Sequence, residues 1–233
     1  MKKNKLKYSK YRKQGAGMKA FILGMDINRA TCDPSLYPDA NLYTRAILQQ
    51  LDHTATRIAD FNADARGFAR FIWAMQQSET RPGMERAYSP AEMSFHRVTP
   101  FPMDDDFLPK TQMSPYPEHR DFFHGLYHEG YRVGIIEGFH ASKCVSWGLE
   151  HLANKANFKM LVVPALIGEG DGTHPLAALE DDSFVRAVYE GKIIVTDQER
   201  AMDFLYTPED RRSLPRPTMS GEDLNSMYYG FGG

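Results

Sequence analysis

Apolar and polar positions fall along this chain in blocks that switch between strand-like and helix-like spacing. Residues 19–25 (KAFILGM) form a continuous apolar run of strand length, and residues 68–75 (FARFIWAM) form a second. Further buried strands are predicted at 132–137, 158–163 and 192–196. A short apolar approach with a proline predicts another strand end at Lys110. Between these runs the period changes. Residues 37–60 carry Leu42, Ala46, Ile47, Leu51 and Ile58 near one helical face. Helices are also predicted over 118–129, 142–155, 175–189 and 197–205, the last opened by an acidic first turn. Residues 76–106, with Pro82, Pro90, Pro100 and Pro102, form an irregular stretch longer than ordinary connections, of the kind that makes lids and binding loops.

Strands that alternate with helices of this length predict an α/β fold. The expected architecture is three-layer αβα, an open and mostly parallel Rossmann-like sheet covered on both faces. In such sheets ligands bind beyond the carboxyl ends of the strands. Asp26 directly follows the first strand, and Cys144 lies a few residues after the strand at 132–137. Both belong to that edge.

Composition narrows the class without naming a function. The chain has 233 residues, a formal net charge of −2 and 42% apolar residues, the profile of a soluble globular protein. It reads as one domain at 18–207 flanked by a basic arm at 1–17 and an extension at 208–233. No apolar run approaches the ~20 residues that cross a bilayer, so no membrane association is expected. The arm carries seven Lys/Arg and no acidic residue, and it lacks the apolar core of a secretory signal. Charge alone would let it touch nucleic acid, but a solvated tail is the stronger expectation. Two cysteines far apart, Cys32 and Cys144, argue against a disulfide framework and for a cytoplasmic location.

The candidate chemistry centres on residues 138–145, Gly-Phe-His-Ala-Ser-Lys-Cys-Val. A strand that ends in a tight turn and delivers a cysteine to a helix start can make a reactive thiol, because a helix N-terminus lowers the thiol pKa. Asp26 is a candidate proton acceptor. Lys110, the only lysine between Ala20 and Ser142, is a candidate cation beside the thiol. Trp73, Met113, Tyr116 and Phe139 are candidates for a pocket wall or for the core. Cys32 reads as a pocket or core residue, and 104–106 (Asp-Asp-Asp) as solvated loop. The glycine-rich stretch 168–172 lacks phosphate-loop spacing and is expected at the sheet edge. The eight histidines form no metal signature, so no metal and no cofactor are expected.

Taken together, the three segments resemble the isochorismatase-like cysteine hydrolases, which include nicotinamidases and N-carbamoylsarcosine amidase. The resemblance runs from about residue 18 to 205. Asp26-Ile-Asn28 stands where the family has Asp-x-Gln, with Asn28 in the Gln place. Lys110 with Ser114-Pro-Tyr116 resembles the family's Lys followed by Ser-Ala-Phe. Residues 138–145 resemble Gly-x-x-Thr-x-x-Cys-Val, with Ala141 in the Thr place. The resemblance implies an Asp26–Lys110–Cys144 triad and an oxyanion hole from the backbone amides of His140 and Cys144. It implies a covalent intermediate on Cys144, and it adds Asn28 to the substrate pocket. It also implies a homo-oligomer acting on a small-molecule amide-like bond. The family's nicotinamidases carry a metal-binding Asp-x-His after the second strand. This chain reads Ala-Met-Gln-Gln-Ser-Glu at 74–79, so a metal-independent hydrolase is expected. The alternative is a catalytically silent binding or scaffold protein that keeps the fold, favoured by the changes at Asn28 and Ala141.

Overall fold

The computed structural model describes residues 18–76, 96, 105–207 and 213–229. The apolar runs become six strands: β1 Lys19–Met25, β2 Arg70–Gln76, β3 Asp106–Lys110, β4 Tyr131–Phe139, β5 Lys159–Gly168 and β6 Ile193–Val195. They pair in the order β3-β2-β1-β4-β5-β6, and every pairing is parallel. The sequence predicts a mostly parallel sheet; among the described strands it is wholly so.

Side-chain alternation along each strand builds two cores. Phe21, Leu23 and Met25 of β1 face one side, where they meet Phe123 and Leu126 of α3 (Arg120–His128). On that side they also meet Leu149 and Leu152 of α4, which spans 141–155. Its centre Ser146–Glu150 is α-helical, and its flanks Ala141–Val145 and His151–Lys155 are wound as π-helix. Ala20 and Ile22 face the other side, toward Leu51, Ala55, Ile58 and Phe61 of α2 (Leu42–Ala65). The result is the three-layer αβα arrangement expected from the pattern. Among the described residues, no helix is long and apolar enough to cross a membrane.

The differences from the predicted elements have local causes. Helix α2 starts at Leu42, not at residue 37, because Asn41 caps it by accepting from the Thr44 N–H at 2.9 Å. It runs on to Ala65 because Phe61 and Ala65 continue the buried face. The predicted helix 175–189 divides into α5 (Pro175–Ala178) and α6 (Asp182–Tyr189). Asp181 interrupts it by capping the second piece through the Ser183 N–H at 2.7 Å. The remaining helices are the short α1 (Arg29–Cys32), α7 (Gln198–Tyr206) and α8 (Gly221–Tyr229). Leu224 of α8 is fully buried among the side chains over β4 and β5.

The carboxylates at 105–106 are paired and not simply solvated, in contrast to the expectation, and that of Asp105 is buried. Asp105 accepts two hydrogen bonds from Arg66 and one from the Trp73 indole at 2.7 Å. Asp106 accepts two from Arg70. Forked guanidinium pairing of this kind holds β3 against β2 and the end of α2. Asp104 lies outside the described residues.

Glu137 is fully buried on β4 and accepts from Asn62 Nδ2 of α2 at 2.7 Å. Burial pushes its pKa up to about 8, against the weaker opposing effects of the Asn62 hydrogen bond and the Arg66 charge. Among the described residues its Oε2 and Asn62 Oδ1 have no hydrogen-bond partners, and a proton on the carboxyl supplies the donor that two such acceptors lack. The folded chain therefore keeps this proton between about pH 4.5 and 8, where the unfolded chain has released it. Stability contributed by Glu137 is present below that window and is lost as pH rises through it, by about 1.4 kcal/mol per pH unit at most. Urea denaturation at about pH 5, 6.5 and 8 is expected to show Glu137→Gln gaining on the parent chain with each step. Parallel pH profiles would exclude the buried acid.

Candidate active site

Strand order decides where the candidate residues meet. Connections leave β1 toward β2 on one side, while β4 lies on the other, so the order reverses between β1 and β4. A crevice opens at such a switch point beyond the carboxyl ends of the strands. Asp26 follows β1 there, the Cys144 turn follows β4, and Lys110 ends β3 two strands away. A long side chain is needed to cross β2, and lysine has one.

The two central strand ends approach very closely. Gly138 pairs with Met25 in register, and a Cβ on Gly138 would sit 2.1 Å from the Met25 carbonyl oxygen. Its φ of 123° belongs to glycine as well. Asp26 (φ 52°) and His140 (φ 63°) both adopt the left-handed conformation that non-glycine residues seldom take. Backbone strain of this kind gathers at functional sites, where the surrounding fold holds it in place. Here it turns the chain sharply after β1 and after β4.

Lys110 is fully buried, with Asp26 and Cys144 nearly so. Lys110 Nζ lies 2.7 Å from Asp26 Oδ2, 3.4 Å from Cys144 Sγ and 3.4 Å from the Gln112 carbonyl oxygen. Its three N–H bonds thus have three neighbours. Asp26 Oδ1 accepts from the Gln76 N–H at 3.0 Å, which fixes the carboxylate and leaves Oδ2 facing the cation. The three residues selected from sequence form one contiguous cluster.

The thiol itself departs from expectation. Burial and the negative charge and hydrogen bonding of Asp26 push the Cys144 pKa up to about 12, and the charge and hydrogen bond of Lys110 only partly oppose them. The helix-start argument predicts a depressed pKa. It omits the aspartate that neutralises the lysine and the burial that disfavours a thiolate. The resting group is a neutral thiol beside an ion pair. The His140 ring is likewise held neutral, its pKa lowered chiefly by burial while Asp26 and Glu169 pull the other way.

The remaining candidates divide. Tyr116 is buried in the same cluster as Cys144, and its hydroxyl pairs with His124 Nε2 at 3.1 Å. Met113 is exposed on the turn after β3. Trp73 and Phe139 are core residues of the opposite layer, with Trp73 in mid-strand and bonded to Asp105. Asn28 is buried, and its Oδ1 caps α1 by accepting from the Thr31 N–H and hydroxyl. Cys32 is core, its thiol directed at the Asn28 carbonyl at 3.1 Å. Among the described residues, no group of three His, Cys, Asp or Glu side chains is placed to hold a metal ion.

Two contributors were not selected from sequence. Gln76 holds Asp26 through its main chain, and backbone donors leave no trace in residue type. Glu169, just past β5, accepts from the Ser142 N–H in the Cys144 turn at 2.7 Å. An acidic residue directly after a strand that neighbours β4 was the available signal, the same one that marks Asp26.

This arrangement defines the fold class of the chain: that of the isochorismatase-like hydrolases. An isochorismatase-like hydrolase from Alkaliphilus metalliredigens superposes with a TM-score of 0.61 at 13% identity, over 79% of this chain and 98% of that one. A pyrazinamidase/nicotinamidase from Streptococcus mutans gives 0.58 at 12% identity, over 76% and 100%. An N-carbamoylsarcosine amidase from Thermoplasma acidophilum gives 0.53 at 13% identity, over 78% and 98%. No protein-family profile matches the chain, and no curated protein matches it in sequence.

Proposed function

We propose that the chain is a cysteine hydrolase of the isochorismatase-like family that cleaves an amide-like C–N bond in a small molecule. The observation that carries this reading is the buried Asp26–Lys110–Cys144 cluster at the sheet's switch point. A buried ion pair is costly to assemble, and it contributes little to stability compared with apolar packing. Its placement against a cysteine at the ligand-binding edge suits proton transfer.

In the proposed reaction, Cys144 Sγ attacks the carbonyl carbon while its proton passes to Asp26. Asp26 then protonates the departing nitrogen as the C–N bond breaks, leaving an acyl thioester. Water adds to the thioester with Asp26 accepting its proton, and the S–C bond breaks to return the thiol and release the acid. Lys110 pairs with Asp26 at 2.7 Å and limits the charge that builds at sulfur. The backbone amides of His140 and Cys144 are assigned to the carbonyl oxygen. The neutral resting thiol fits this scheme, because Asp26 and Cys144 flank the same Lys110 ammonium, at 2.7 and 3.4 Å, so the base stands beside the thiol.

A panel of small amides and carbamoyl compounds tests the proposal. Turnover of at least one member is expected. Cys144→Ala is expected to lose it by at least about 10⁴-fold, the scale on which removing a nucleophile acts. The burial of Cys144 and its raised pKa favour one other reading, a binding protein that retains the fold. An inactive panel, with ligand binding unchanged in Cys144→Ala, would support that reading instead.

A further inference from the structure

We propose that Glu169 is a positioning residue, which supplies from β5 the N-terminal cap that the Cys144 turn lacks in its own sequence. Helices that begin without a side-chain acceptor leave first-turn N–H groups unsatisfied, and Ser, Thr, Asp or Asn ordinarily provides one. The segment Ala141–Val145 has no such residue at its start. His140 precedes it in the left-handed conformation and makes no side-chain cap bond, and Ala141 has no polar atom to offer.

Glu169 fills that role from a distance of 27 residues. Its Oε2 accepts from the Ser142 N–H and its Oε1 from its neighbour's amide, Gly170 N–H, both at 2.7 Å. The side chain is nine-tenths buried. Register delivers it there, since Phe139 pairs with Gly168 and the next residue on each strand leaves the sheet at the same level. The chain then passes beside the His140 ring, since a Cβ built at Gly170 would lie 3.8 Å from Nδ1. Charge-assisted bonds of this length are among the stronger ones available to a backbone amide.

Two consequences follow for the turn. The bond ties the sharp bend after β4 to the neighbouring strand, so the position of Cys144 depends on β5 as well as on β4. It also occupies the Ser142 amide, leaving the His140 and Cys144 amides as the donors assigned to substrate. Glu169 thus acts through the backbone of the turn and not on the reacting atoms. This catalytic consequence rests on the proposed hydrolase function; the capping bond does not.

The test compares Glu169→Ala and Glu169→Gln with the parent chain in three measurements. The first is acylation by 4-nitrophenyl acetate, in which Cys144 Sγ bonds to the acetyl carbon, its proton passes to Asp26 and 4-nitrophenolate leaves with the bonding pair. The second is alkylation of Cys144 by iodoacetamide, followed site by site with mass spectrometry, which needs no oxyanion hole. The third is hydrogen exchange at the Ser142 amide. Glu169→Ala is expected to slow acylation by about 100-fold, the cost of an ångström-scale misplacement. Its alkylation is expected to stay within about threefold, and its Ser142 amide to exchange faster. Glu169→Gln keeps one oxygen acceptor and is expected to restore acylation to within about fivefold, because a neutral side-chain oxygen still caps. Unchanged Ser142 exchange in Glu169→Ala would overturn the proposal, as would equal losses in acylation and alkylation. If the parent chain is not acylated at all, the hydrolase reading fails, and Ser142 exchange alone decides the cap.

Discussion

Asp26→Asn is expected to uncouple two properties of Cys144 that usually move together. Turnover should fall by about 10²–10⁴-fold, the usual contribution of a positioned general base. The thiol, however, should become easier to ionise. In the parent chain the aspartate's charge and hydrogen bond both raise the Cys144 pKa, while Lys110 opposes them. Removing the carboxylate leaves the cation at 3.4 Å from sulfur as the nearest charge. Iodoacetamide should then alkylate Cys144 several-fold faster at about pH 8 than it does in the parent, even though catalysis has collapsed. The amide oxygen that this substitution introduces can still accept from the Gln76 N–H, so the bend after β1 has a way to persist. A loss of both turnover and alkylation would instead assign Asp26 to holding the turn. Retention of turnover would remove it from the chemistry altogether.

The sheet and the meeting of Asp26, Lys110 and Cys144 were legible in the sequence because both leave marks in residue type. Apolar runs such as 19–25 and 68–75 have strand length, too short for an ordinary core helix, and the edge rule then places Asp26 and Cys144 without any side-chain geometry. Lys110 could be singled out because no other lysine occurs between Ala20 and Ser142. What stayed hidden depends on pairings between distant segments. Asp105 reads as a solvated carboxylate until Arg66 and Trp73 are brought to it. Trp73 reads as a pocket wall until its place in mid-strand is known, and Asn28 reads as a substrate contact until Thr31 folds back on it.

The thiol pKa was hidden for a different reason. A helix start and a nearby lysine are visible in sequence, but burial and the competing charge of Asp26 are properties of the assembled site. The same limit applies to Glu169, whose value lies in an acceptor aimed at a backbone amide 27 residues away. Conversely, Ala141 looks in sequence like a defect in the pattern. The neighbouring Ser142 amide is held instead by Glu169, just past β5.

Lys110→Met provides the larger structural effect and a second view of the ion pair. Methionine fits the space of the lysine stem, but it strands the Asp26 carboxylate in a site that is almost fully closed to solvent. Breaking a buried pair by removing one partner costs about 3–5 kcal/mol, because the remaining charge is uncompensated. The Asp26→Asn chain should suffer a comparable loss, since it strands the ammonium. Combining the two changes removes both charges, so the double variant should be more stable than the sum of the single losses predicts, by about 2 kcal/mol or more. Urea denaturation of the four chains measures this coupling directly. Thiol alkylation adds an independent sign: Lys110→Met should slow the reaction of Cys144, where Asp26→Asn speeds it, because the lysine is what draws the pKa downward. Additive stability losses would mean that the 2.7 Å contact contributes no specific interaction. Opposite signs in alkylation together with strong coupling in stability would fix the division of labour in the cluster. On that outcome Asp26 would be the group that holds the proton on sulfur until substrate arrives, and Lys110 the partner that offsets the cost of burying it.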